Sequence, residues 1–213
     1  MKFKKSFKTM KAKLVLVITS IILVVAVVLG GISAQVVYST SMNSAKSELL
    51  TVAQEKAREA HQSTEVELRY IDALAQNPML TDAEATLNDK IAFFEKEAQR
   101  TGYLAISYAD KNGNSTVFNS ERETTNVAER DYFKTALAGQ PEVSDVLISS
   151  VTGKAVVIFA APVYKNGEVQ GVLYGRRDGQ FLSEIAEEVT YKSTGFAYLV
   201  NMEGTSVGDR DRS

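Results

Sequence analysis

The stretch Lys154–Arg177, KAVVIFAAPVYKNGEVQGVLYGRR, decides the fold. Two apolar runs of strand length flank Asn166 and Gly167, the dipeptide best suited to a two-residue hairpin turn. A joint that short forces the two runs to lie antiparallel. Upstream, VSDVLISS at 143–150 is a further strand candidate, joined through a VTG turn at 151–153.

Working outward, YLAISYADKNGNSTVFNS at 103–120 has twofold periodicity around DKNGN and reads as two more strands. Asp110, Asn112, Asn114 and Glu121 imitate a calcium loop, but that loop needs glycine at its sixth position, where Ser115 stands, so a hairpin turn is the better account. Between the strand groups, DYFKTALAG at 131–139 places Phe133, Ala136 and Leu137 at helical spacing, with Gly139 as the stop. TDAE at Thr81–Glu84 reads as a capping box opening a helix to about Gln99, with Ile91, Phe94 and Ala98 inward and Gly102 closing it. GQFLSEIAEEV at 179–189 returns to helix, and GFAYLVNMEGTSVG at 195–208 reads as a strand and hairpin turn. The order predicts an α+β fold in which helices flank an antiparallel sheet.

The N-terminus is of another kind. Lys2, Lys4, Lys5, Lys8, Lys11 and Lys13 precede an uncharged run from Leu14 to Ala34. About 21 residues at about 1.5 Å each give roughly 32 Å, enough to cross a bilayer core. Lysines before such a run hold residues 1–13 in the cytoplasm and send the remainder out of the cell. A cleavable signal peptide competes with this reading, since Gly30, Gly31, Ser33 and Ala34 are small. A signal core is usually only about 7 to 15 residues, so length favours a retained, single-pass anchor at 14–34.

Residues 35–77 contain no glycine or proline, and Met42, Ala45, Leu49, Val52 or Ala53, Ala57 and Ala60 form a narrow stripe on one long helix. Such a stripe suits a stalk packed on a neighbouring helix or on a second copy of the chain, giving a homodimer. Pro78 ends the rod.

Chemistry is scarce. The chain has no cysteine and one histidine, His61, which lies on the stalk and reads as a solvent or packing residue. Thiolate metal sites and cysteine nucleophiles are thereby excluded. No Ser-His-Asp arrangement or His/Cys metal set is in sight, Lys154 follows no phosphate loop, and no basic face is interleaved with aromatics. The expectation is a binding protein and not an enzyme, without cofactor, metal or nucleic-acid partner. The polar connection NSERETTNVAER at 119–130 is long enough to suggest function and delivers Arg130, Tyr132 and Phe133. An arginine fork can clasp a carboxylate, and aromatic rings can exclude water beside it. Surface pairing of Arg130 with Glu129 or Asp131 is the competing account.

The exported part, centred on ERDYFKTALAGQPEVSDVLISSVTGKAVVIFAAPVYKNGEVQGVLYGRRDGQFL, resembles the double Cache sensor domain of bacterial methyl-accepting chemotaxis receptors and related membrane sensors. The resemblance implies a PAS-like distal module, here 78–190, that binds a small molecule, followed by a smaller membrane-proximal module of which 191–213 would be the truncated start. It also implies a role in chemotaxis or signal transduction, with an output domain missing from this chain. In the amino-acid-sensing pattern, Arg130 would hold a ligand carboxylate and Asp178 a ligand ammonium, with Tyr132 and Phe133 at the aromatic positions. Thr125 stands where that pattern has its first tyrosine, Tyr132 replaces a tryptophan, and Phe133 lacks a hydroxyl. Asp178 beside Gly179 also reads as a helix cap. A membrane-tethered structural or interaction protein that binds no metabolite is the alternative of different class.

Overall fold

The computed structural model describes residues 10–148, 155–181, 198–200, 204 and 206–208. Two compact units divide at residues 52 and 53. Helix α1, Met10–Ala75, contributes to both. In the first unit the large apolar residues of α1 from Met10 to Leu50 are exposed, and the helix includes a window long and apolar enough to cross a membrane, none of it buried.

The second unit is built on one antiparallel sheet. Its strands are β1 (Ala105–Asp110), β2 (Asn114–Val117), β3 (Thr124–Asn126), β4 (Glu142–Val143), β5 (Leu147–Ile148), β6 (Ala155–Lys165) and β7 (Glu168–Asp178). The order across the sheet is β3-β2-β1-β7-β6-β4, with β5 also pairing β6. The β6–β7 hairpin closes at Lys165 and Glu168. Asn166 and Gly167 both take positive φ, 54° and 82°, as a tight turn between right-twisting strands requires. The turn after β1 is held by Asp110, whose Oδ1 accepts the Asn112 and Asn114 backbone N–H groups, both at 2.9 Å. A hairpin turn therefore accounts for the calcium-like spacing.

Helices cover both faces. On one face the C-terminal part of α1, through Ile71, Leu74 and Ala75, and α2 (Leu87–Thr101), through Ile91, Phe94 and Ala98, pack on Ile106, Val157, Phe159 and Leu173. On the other face α3 (Asp131–Leu137) lays Tyr132, Phe133 and Ala136 on Ala109, Val156, Ile158, Ala160, Val172 and Tyr174. This double cover explains why β6 and β7 are apolar without alternation.

Several sequence expectations shift. The capping box of α2 is formed by Thr86 and Asp89, not Thr81 and Glu84. Thr81 instead ends a one-turn 3-10 helix, Pro78–Leu80, and the Asp82 Oδ1 accepts the Glu84 N–H. The polar connection at 119–130 contains strand β3, which completes its ladder on β2. The described part of VSDVLISS, 143–148, falls in two short strands, because Ser144 breaks the run: its N–H donates to the Ile158 carbonyl and its Oγ accepts the Ile158 N–H. Near the C-terminus, β8 (Leu199–Val200) and β9 (Ser206–Gly208) form a separate antiparallel pair. The helix expected at 179–189 lies, beyond Phe181, outside the described residues, as do the VTG turn and the first nine residues.

Candidate functional site

The site begins where β3 feeds α3. Val127 packs into the α3-side core and its N–H donates to the Gly113 carbonyl at 2.8 Å, which fixes the path of the connection. Three residues later Arg130 takes extended backbone at the N-cap of α3, with no side-chain cap bond. At seven residues α3 is too short for its dipole to dominate, so the positive charge at this end is that of Arg130 itself.

A cavity of about 900 Å³ opens here, within the range that holds small metabolites. Arg130, Asp131, Tyr132 and Thr135 wall one side, and Glu142, Val143, Ser144, Asp145 and Leu147 of the β4–β5 segment wall another. His61, Thr64, Glu129 and Val200 complete the described lining. The surface pairing weighed for Arg130 is not formed. Glu129 bonds Lys134 at 3.1 Å, and among the described residues the Arg130 guanidinium has no hydrogen-bond or ion-pair partner.

Of the residues singled out in the sequence, Arg130 and Tyr132 line this cavity. Tyr132 is buried, and its ring packs on Tyr174 at 5.7 Å between centroids. Phe133 is buried in the α3-side core and is absent from the described lining. Thr125 pairs with Ser115 on β2, and Asp178 pairs with Val156 at the end of β7. By strand alternation Thr125 and Asp178 belong to the same sheet face as Tyr174, yet neither reaches the described lining. Asp178 is exposed, and its Oδ1 accepts the Gln180 N–H at 3.0 Å, the capping bond considered for it.

The floor beneath Tyr132 is electrostatically distinctive. Tyr174 shares a 2.6 Å hydrogen bond with Ser115, and burial pushes its phenol up, with that bond and the Arg176 charge acting against the shift. Burial also pushes up the Tyr132 phenol, aided by Tyr174 and opposed by Arg130 and Arg176.

Comparison with known proteins places this geometry. Residues 37–212 match the family described as Cache domain. The chain belongs to the Cache domain family. Among solved structures, this Cache domain is similar to the ligand-binding domain of the Pseudomonas fluorescens chemoreceptor CtaA in complex with L-serine. Identity is 20%, the TM-score is 0.61, and the match covers 74% of this chain and 69% of that one. It is also similar to the ligand-binding domain of the Campylobacter jejuni chemoreceptor Tlp3 in complex with 4-methylisoleucine, at 16% identity and TM-score 0.60 over 76% of this chain and 66% of that one. A third likeness is the ligand-binding domain of the Pseudomonas aeruginosa amino acid chemoreceptor PctC in complex with GABA, at 18% identity and TM-score 0.59 over 73% of this chain and 72% of that one. At these identities the likeness establishes the fold. No curated protein sequence matches the chain significantly.

Sequence reasoning missed part of this Cache domain's site. His61 and Thr64 gave no signal, because their spacing marks only a helix and not what that helix faces. Ser144 and Asp145 sat inside what read as one regular strand, and Glu142 lay just before it.

Proposed function

We propose that this chain is a membrane-anchored extracytoplasmic sensor module that binds a small molecule bearing a carboxylate and serves bacterial chemotaxis or related signal transduction. The observation that carries the reading is Arg130, an exposed guanidinium without a partner among the described residues, set in the wall of a cavity of about 900 Å³. Tyr132 beside it supplies an apolar wall that strengthens a charge-assisted bond by excluding water. The amino-acid and GABA complexes of the similar chemoreceptor domains support a ligand of this size and charge. In the amino-acid form of the reading, Arg130 takes the carboxylate and Asp178 the ammonium, with Tyr132 and Phe133 at the aromatic positions and Thr125 where the family pattern has a tyrosine. In this organisation 1–13 is cytoplasmic, 14–34 spans the membrane, 35–77 is a stalk through which two copies pair, 78–190 senses, and 191–213 begins a proximal module.

Thermal unfolding of the 213-residue chain in detergent, against amino acids, amines, purines and small carboxylates, tests the reading. A ligand at about a hundred times its dissociation constant stabilises by roughly 2.7 kcal/mol. Arg130→Ala should remove the shift produced by a carboxylate and leave the melting temperature of the empty protein nearly unchanged, because this side chain has no partner to lose. A folded protein that responds to no member of the panel would instead be a tethered interaction protein.

A further inference from the structure

The chain has two Asn-Gly pairs, Asn112-Gly113 in the β1–β2 turn and Asn166-Gly167 in the β6–β7 turn. The fold treats them oppositely. At the first pair the Asn112 N–H donates to Asp110 Oδ1 at 2.9 Å, and the Asn112 carbonyl accepts the Asn126 side-chain amide at 3.2 Å. Gly113 is buried, its N–H donates to the Asp110 carbonyl at 2.9 Å, and a Cβ on it would lie 2.5 Å from the Ala128 nitrogen.

At the second pair both residues are exposed, and a Cβ on Gly167 would meet nothing within 4 Å. Among the described residues neither the Asn166 side chain nor the Gly167 N–H has a hydrogen-bond partner, since the ladder of the hairpin closes at Lys165 and Glu168. Only the left-handed conformations of the two residues keep the turn.

We propose that Asn166 is a site of spontaneous covalent modification, deamidation, and that hydrogen bonds protect Asn112 from the same reaction. The Gly167 backbone nitrogen attacks the side-chain carbonyl carbon of Asn166. A C–N bond forms and closes a succinimide ring, the bond to the side-chain nitrogen breaks, and that nitrogen leaves as ammonia with the proton from Gly167. Water then opens the ring at either carbonyl to give aspartate or isoaspartate, so a water enters, an ammonia departs, and nothing is oxidised or reduced. Reaching the ring geometry requires the Asn-Gly peptide to swing out of its turn. At Asn112 the bonds to Asp110 and Asn126 must break first, whereas no hydrogen bond of Asn166 or Gly167 opposes the swing.

The two products differ in consequence. Aspartate keeps the turn, because Asp-Gly suits it as Asn-Gly does. Isoaspartate routes the main chain through the side-chain carbon and adds a methylene between Lys165 and Glu168. That end of the hairpin is anchored by the Lys165 ammonium on the Thr81 carbonyl at 2.9 Å and by the Tyr164 hydroxyl on the Gly139 carbonyl at 3.3 Å. Isoaspartate therefore disturbs the seating of the turn that follows α3.

The experiment ages the 213-residue chain in detergent and, separately, in urea, in mildly alkaline buffer at physiological temperature, with peptide mapping by mass spectrometry and isoaspartate counted by enzymatic methylation. In urea the two pairs should convert at similar rates. In the folded chain Asn166 should convert faster than Asn112 by on the order of tenfold or more, the effect of hydrogen bonds that must open first. Asn166→Gly, which leaves a Gly-Gly turn of the same type, should remove the folded-state product and keep the fold. The isoaspartate form should melt below the unaltered chain and the aspartate form with it; equal melting of all three overturns the link to the hairpin anchor. Conversion of Asn112 as fast as Asn166 in the folded chain overturns the proposal. So does an Asn166 that stays intact in the folded chain while the unfolded chain converts.

Discussion

Gly175 shows how a single residue positions the sheet. It lies on β7 between Tyr174 and Arg176, opposite Ile106, and its α-carbon faces the α1 side of the sheet. A Cβ there would overlap the Tyr103 ring and come within 2.8 Å of the Ile71 Cδ1. Both neighbours are buried, so neither has free space to move into. Gly175→Ala is expected to destabilise the protein by about 1–3 kcal/mol through overpacking, read as a fall in the urea midpoint. The residues on the two sides of Gly175 belong to the opposite face, so the damage should be to stability first. Arg130 is the converse case, an exposed side chain whose removal should cost binding and little stability.

Among the elements, β7 is the one that joins the two cores of the sheet domain. Tyr174 and Arg176 face α3, while Arg177 reaches Glu67 on α1 and the Thr101 carbonyl at the end of α2. The Glu67–Arg177 pair is mostly buried, and Arg177 fills the space over the Tyr103 ring, 5.0 Å from its centroid. Arg177→Ala should therefore cost about 2–4 kcal/mol, because it strands Glu67 without its counter-charge. Replacing the pair together, Glu67→Gln with Arg177→Met, should recover much of that loss. Chemical denaturation of the single and double variants measures the difference, and additive losses would show that the pair does not act as a unit.

At the scale of the whole molecule, the lysine-rich start and the exposed apolar part of α1 lead to a prediction of cellular placement. The 213-residue chain should remain with the membrane fraction, and protease added outside the cell should reach the sheet domain while the first residues stay protected. A soluble mature form beginning near Gln35 would show instead that the segment is a cleaved signal. Little of the sensing unit depends on this outcome, since the sheet and its three covering helices close their own cores.

What the amino-acid sequence determined by itself was whatever short-range chemistry imposes. Asn166-Gly167 between two apolar runs could only be a hairpin, Gly102 could only close a helix, and an uncharged run behind lysines could only be a candidate span. The family was legible for the same reason, carried by local motifs around Arg130 and GVLYG. Boundaries that hang on competing local signals were not. Thr81 and Thr86 both begin a plausible capping box, and the choice fell to Thr86 because the chain first turns at Pro78–Leu80 and buries Leu80. Strand β3 was hidden because its Thr-Thr-Asn has no apolar alternation and exists by pairing with β2. The site belongs almost wholly to tertiary structure. His61 and Thr64 on α1 are far along the chain from Arg130, Tyr132 and Glu142, and only packing brings them to one cavity. Contacts between distant segments are set by how the helices cover the two faces, and no local pattern encodes which side chain is left there without its counter-charge.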